Sequence, residues 1–168
     1  MLRALIKTMR IRQWPKNGFI LAALIFDRQL THPIALARTL AGFILFCMLS
    51  SAVYIINDIL DIQSDRQHPI KRNRPIASGK LPIRAAIAAA VVMVSVTLVL
   101  AYFLSTSFLI ISVSYFLINL AYSLWLKHVP LIDVLIIAAG FVLRVAAGVS
   151  LIVVERFSPW LYVVTTLF

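Results

Sequence analysis

Acidic residues are scarce in this chain: six among 168, against sixteen Lys and Arg. Cysteine occurs once, at Cys47, so no disulfide can form within the chain, and a lone thiol inside an apolar run reads as a small hydrophobe. The three histidines, His32, His68 and His128, are scattered without the spacing that a zinc site needs. Charged residues of both signs amount to only 13%, which excludes an ordinary soluble domain. There is no internal repeat, no low-complexity tract and no soluble second domain. Nor does the N-terminus resemble a cleaved signal peptide, since its basic stretch is long and the first apolar run has no clear cleavage site.

What fills the sequence is hydrocarbon. Hydrophobic residues make up 62%, and the mean hydropathy is +0.98. The expected fold is an all-α transmembrane bundle forming a single domain, with room for about six spans of roughly 20 residues. The first apolar run, Gly18 to Phe26, is short for a span and must recruit the Trp14 region or Leu30. Longer runs cover Pro33 to Ile56, 85–104, 107–126 and 130–154, and a sixth opens at Pro159. That last run reaches Phe168 with no flanking charge, so the chain is expected to be an N-terminal part of a longer protein, inactive alone.

The net charge of +10 would suggest nucleic acid in a soluble protein. Here the cations lie between apolar runs and read as topology signals and phosphate contacts instead. Residues 1–16 carry five positive charges, with Leu2, Leu5, Ile6, Met9 and Trp14 forming part of an apolar stripe. A helix lying on the membrane surface is expected there. The 63–84 connection holds Arg66, Lys71, Arg72, Arg74, Lys80 and Arg84, and Lys127 follows the fourth run. The alternate connections, "DRQLTH", "STS" and "ERFS", carry little net charge. By the positive-inside rule the N-terminus and the 63–84 loop face the cytoplasm.

Three of the six acids fall in "NDILDIQSD", residues 57–65. On a helix continuing through residue 65, Asn57, Asp58, Asp61 and Asp65 share an arc about 100° wide, with Tyr54 in the same arc. Carboxylates so close repel one another, and beside hydrocarbon they are costly to keep charged. A divalent cation offsets that cost. Stacked oxygen ligands suit magnesium, which takes one or two carboxylates plus substrate phosphates. The next stretch, "DRQHPIKRNRPIASGK", offers Arg66, Lys71, Arg72 and Arg74 to phosphate oxygens. Metal-binding acids followed by phosphate-binding bases form the layout for a metal-bound diphosphate.

These residues resemble the NDxxDxxxD motif of the UbiA superfamily of membrane prenyltransferases, continued by "HPIKRNRPIASGKL". "RIRQWPKN" (10–17), "YSLWLKHVPLIDV" (122–134) and "GFVLRVAAG" (140–148) are similar to its decaprenyl-phosphate phosphoribosyltransferase branch. The resemblance implies magnesium-dependent transfer of 5-phosphoribose from phosphoribosyl pyrophosphate to a polyprenyl phosphate in the membrane, releasing pyrophosphate. It implies a first magnesium and pyrophosphate site of Asn57, Asp58, Asp61 and Asp65, with Asp58, Asp61 and Lys127 at the catalytic centre. Lys16, Asn17 and Tyr122 also fall within matching motifs. The superfamily's second polar motif has no match here. A lipid phosphate is already ionised, so the absence of an obvious His or Glu base near the cluster fits such an acceptor.

Two alternatives stand beside this one: a prenyltransferase acting on an aromatic acceptor, and an ion-binding transporter or non-catalytic membrane protein. A homo-oligomer is left open. In the fifth run Asp133 and Arg144 are eleven residues apart, within about 20° on a helix but roughly 16 Å apart along it, so they cannot pair. Gly140 and Gly148 lie near the same face, which argues that it packs inward. Arg144 is then either a partner for an acceptor or substrate phosphate or a structural pair with another helix.

Overall fold

The computed structural model describes residues 1–129 and 131–153. The run at Pro159, expected to open a sixth span, lies outside the described residues. Among the described residues the chain is helical, with no strand. The elements are α1 (Leu2–Thr8), a 3-10 segment (Ile11–Leu21), α2 (Ala22–Phe26), α3 (Pro33–Leu60), α4 (Ile62–Gln67), α5 (Ile83–Leu104), α6 (Thr106–Leu124) and α7 (Ile132–Val149). The four long apolar runs thus appear as α3, α5, α6 and α7, each long and apolar enough to cross a membrane. The protein is an integral membrane protein.

Helix α3 is the axis of the bundle. Its most apolar stretch is 56% buried, against 17–28% for the other three long helices, which turn most of their apolar side chains outward as lipid-facing surface does. Small residues let α5 approach closely: Ala86, Ala90, Thr97 and Ala101 recur on its buried side. The core centres on Leu45, Phe46, Leu49 and Val53 of α3, packed with Ile20, Phe108, Tyr115 and Ala147.

The short first run gains length by winding differently. A 3-10 helix rises about 2.0 Å per residue against 1.5 Å in an α-helix. Ile11–Leu21 followed by α2 therefore spans roughly 30 Å, about the thickness of a bilayer's hydrocarbon core. With three residues per turn, Trp14, Asn17, Ile20 and Ala23 fall in one line, and this line meets α3. Trp14 Nε1 donates to Ser51 Oγ at 3.0 Å, and Asn17 reaches Ser50 Oγ at 3.0 Å. Ile20 and Ala23 are buried. Trp14 thus pins two helices together.

The lead-in holds a short helix, α1. It stops at Thr8, and Arg10 adopts a left-handed backbone (φ 52°) that reverses the chain into the 3-10 segment. Leu5 and Met9 of its apolar stripe pack on the protein, against a second cluster of Ile55, Ile76, Leu81, Ala86 and Ala90. That cluster also gives the basic 63–84 connection a packed interior. Ile76 and Leu81, each 1% exposed, plug the segment into α3 and α5, so its basic residues ride on a folded cap. Gly79 has φ +76°, a turn conformation that glycine adopts without strain. His68 is structural, its Nδ1 accepting the Ile70 and Lys71 N–H groups.

Candidate active site

The aspartate motif sits where α3 ends. Asp61 (φ −89°, ψ 6°) closes α3, and α4 restarts at Ile62, so the helix is interrupted in the middle of the motif. The four side chains do not converge as one stack. They divide into two ion-paired groups, because each carboxylate is claimed by a base from another segment.

Asp58 and Asp65 form the buried group, each 2% exposed. Arg10 Nη2 lies 2.6 Å from Asp58 Oδ1 and is held over the Tyr54 ring at 4.7 Å. Arg74 Nη1 bridges the two acids, 3.2 Å from Asp58 and 2.8 Å from Asp65. Removing one partner from a pair buried this deeply typically costs about 3–5 kcal/mol. Around them lies a cavity of about 410 Å³ lined by Lys7, Arg10, Asp58, Lys71, Asn73 and Arg74. Asp61 and Asn57 form the other, more open group. Lys127 Nζ is 2.5 Å from Asp61 Oδ1, and Asn57 Nδ2 donates to Asp61 Oδ2 at 3.2 Å.

On the α6–α7 side of Tyr54 a second cavity of about 270 Å³ is lined by Lys16, Tyr54, Tyr115, Asn119, Tyr122, Asp133 and Arg144, among others. Arg144 is 8% exposed and closes it from inside the bundle. Its Nε donates to Asn17 Oδ1 at 2.8 Å, Nη1 to the Gly140 carbonyl at 2.7 Å and Nη2 to Tyr115 Oη at 3.1 Å. Thus Arg144 pairs with other helices, as one expectation had it, yet also lines a cavity, as the other required. An apolar groove of about 310 Å³ between α3, α5 and α6, lined by Ile56, Ile59, Leu60, Ile87 and Phe116 with others, lies beside the motif.

The expected site residues therefore fall in three places. Lys16, Tyr122 and Arg144 share the second cavity; Lys71, Arg74 and Asp58 share the first; Asn57, Asp61 and Lys127 meet at the helix break. Asn17 reaches neither cavity, because it is 1% exposed with its amide spent on Arg144, Ser50 and Cys47. Arg66 points back to the Ala77 carbonyl at 3.3 Å. Arg10, Tyr115 and Asn119 were not singled out as site residues from sequence. For Asn119 and Tyr115 the available signal was polarity at i, i+4 on an otherwise apolar helix.

Among the described residues no three His, Cys, Asp or Glu side chains converge enough to cage a metal. Asn57 and the partly exposed Asp61 nevertheless fit an ion that keeps waters and shares its coordination with phosphates.

A membrane-embedded helical bundle with an acidic motif at one helix end, clamped by bases from three other segments, is the class of protein this geometry defines. The chain belongs to the UbiA prenyltransferase family, which it matches over residues 18–168. It is 36% identical over 148 residues to a decaprenyl-phosphate phosphoribosyltransferase of Mycolicibacterium smegmatis, covering 86% of this chain and 46% of that protein. It is also 36% identical over 153 residues to the protein of that name from Corynebacterium glutamicum, covering 86% and 45%. The chain thus spans about half the length of the curated relatives it matches. In fold it is similar to a UbiA homolog from Archaeoglobus fulgidus solved with DMAPP and Mg2+, with a TM-score of 0.76 at 21% identity over 92% of this chain and 56% of that one.

Proposed function

We propose that this protein acts in magnesium-dependent transfer of 5-phosphoribose from phosphoribosyl pyrophosphate to a polyprenyl phosphate, with the aspartate end of the bundle facing the cytoplasm. The observation that carries this reading is the second cavity. Next to the motif, where the body of a diphosphate donor must sit, stand Lys16, Arg144, three tyrosines and Asn119. Those groups suit a sugar phosphate, whereas an isoprenoid chain would leave them desolvated and unpaired. The relatives named decaprenyl-phosphate phosphoribosyltransferase support the same donor.

Asn57 and Asp61 would hold magnesium, with the buried Asp58 and Asp65 organising the bases around them. A magnesium ion held there would stabilise the charge that develops on the diphosphate leaving group. Lys71 and Arg74 supply cations for its oxygens from the first cavity. The C1–O bond to diphosphate breaks, its electron pair leaves with pyrophosphate, and a phosphate oxygen of the lipid closes the new bond to C1. That oxygen arrives ionised, so no proton has to be removed. The apolar groove beginning at Leu60 offers the lipid tail a dry surface next to Asp61.

The test is donor consumption, with magnesium, by the purified protein at the full length of its relatives, of which this chain spans about half. Pyrophosphate should be released from phosphoribosyl pyrophosphate only when a polyprenyl phosphate is present. Consumption of a polyprenyl diphosphate with an aromatic acid would replace this reading by the prenyltransferase one, and turnover of neither donor would favour a transporter.

Lys127 adds an expectation about binding order. Its ammonium occupies Asp61, so Lys127 must release the carboxylate before Asp61 can bind a divalent cation, and an incoming diphosphate gives it another anion to pair with. Manganese titrated by electron paramagnetic resonance should bind weakly alone and more tightly with pyrophosphate. In Lys127→Met the two affinities should converge. Unchanged coupling in that variant would remove Lys127 from this role.

A further inference from the structure

The aspartate motif and its bases account for one anionic end of a donor, but they leave Arg144 unused. A guanidinium this deep is expensive unless it is paired or functional. Along α7 it lies twelve residues past Ile132, roughly 18 Å from the helix start. Its hydrogen-bond partners, Asn17, Gly140 and Tyr115, are all neutral. Among the described residues no carboxylate lies within ion-pair distance, and Asp133, at the other end of α7, is exposed. Three aromatic rings, Tyr115 at 5.1 Å, Phe141 at 5.7 Å and Phe46 at 6.0 Å, stabilise the cation without neutralising it. Of its five N–H donors, those three bonds occupy three.

The orientation of the group is fixed from behind. Asn17 Nδ2 donates to Ser50 Oγ and Cys47 Sγ, which turns Asn17 Oδ1 onto Arg144 Nε. Asn17 is therefore a positioning residue, and its place in the N-terminal motif is explained without ligand contact. Lys16, its neighbour in sequence, lies in the same cavity as Arg144. Two cations at one cavity, with a single exposed acid on its lining, make an anion site. Between this site and the motif end run Tyr115, Asn119 and Tyr122 of α6, spanning about 10 Å of helix. This path suits a pentose carrying a phosphate at each end.

On the reading given under Proposed function, we infer that Arg144 and Lys16 bind the 5-phosphate of the phosphoribosyl donor, at a site separate from the aspartate motif that holds its diphosphate. Tyr54, Tyr115, Asn119 and Tyr122 face the sugar hydroxyls. A lipid acceptor's phosphate is the less suitable occupant, because it would have to leave the membrane surface and drag its apolar tail past these polar side chains.

The experiment titrates the purified protein with ribose 5-phosphate, with magnesium pyrophosphate and with farnesyl phosphate, comparing wild type with Arg144→Gln and Lys16→Gln by calorimetry. Lys16 is exposed, so its variant reports on binding even where loss of Arg144 disturbs packing. Ribose 5-phosphate should bind roughly tenfold or more weakly to both variants, with pyrophosphate affinity within about twofold of wild type. Unchanged ribose 5-phosphate affinity in Lys16→Gln and Arg144→Gln would overturn the assignment. So would weakened farnesyl phosphate with ribose 5-phosphate unaltered, which would give the site to the acceptor. Equal loss of pyrophosphate in Lys16→Gln would show a single merged site. A wild-type protein that binds no ribose 5-phosphate and consumes polyprenyl diphosphate instead would refute the functional reading itself, a result distinct from these.

Discussion

In the protein at the full length of its relatives, Asp61→Asn should lower the proposed magnesium-dependent transfer by on the order of 10²–10³ or more, the usual consequence of losing a group fixed where charge develops. The protein should still insert and fold. Asp61 stands at the break between α3 and α4 with its side chain 21% exposed, and Lys127 is 26% exposed, so their pair contributes at most about 1 kcal/mol. Asn57 retains a partner, since an amide oxygen accepts its N–H as the carboxylate did. Asp58 would be a poorer choice: its side chain is 3% exposed and carries both Arg10 and Arg74, so its loss would test folding and chemistry together. The measurement is pyrophosphate release at saturating magnesium, beside a circular dichroism spectrum. Retained turnover would remove Asp61 from the metal set.

Gly148→Ala should be the most damaging small change to stability. A Cβ there would collide with the Ile20 carbonyl oxygen, with the carbonyl carbon at 2.9 Å and the Ile20 Cα at 3.2 Å. Both sides of this contact are backbone, so no side-chain rotation relieves it, and α7 must move off the 3-10 segment. Overpacking of this kind costs about 1–3 kcal/mol or more. That shift also strains donor binding, because Arg144 is one turn before Gly148 and Asn17 one turn before Ile20. Gly18→Ala is the control, since a Cβ there meets nothing within 4 Å. Thermal unfolding in detergent should show a midpoint several degrees lower for Gly148→Ala, on a scale of about 2–4 °C per kcal/mol, with Gly18→Ala near wild type. Equal midpoints would mean that the α7 contact yields without cost.

Hydropathy alone located the four long helices to within a few residues, because an apolar run of that length has one stable form in lipid. The inward face of α7 was legible as well, since Gly140, Arg144 and Gly148 repeat every four residues. The first crossing was not. A period of 3.6 scatters Trp14, Asn17 and Ile20, and their alignment emerges only at three residues per turn. The one-face stack of the motif assumed an unbroken helix through residue 65, and no glycine or proline marks the interruption at Asp61. Arg10 carried only a topology signal, since its tie to Asp58 joins residues 48 apart through a left-handed turn that local sequence does not announce. Ile76 and Leu81 were concealed among the cations of the cap, where charge was the louder feature.

The 3-10 winding of Ile11–Leu21 has a mechanical consequence. Rewinding the segment to 3.6 residues per turn would shorten the crossing by about 5 Å and swing Asn17 about 60° off the line set by Trp14. Asn17 could then no longer hold both Ser50 and Arg144. The length of this segment and the aim of the buried guanidinium are therefore one coordinate, so a change in its winding is also a change at Arg144.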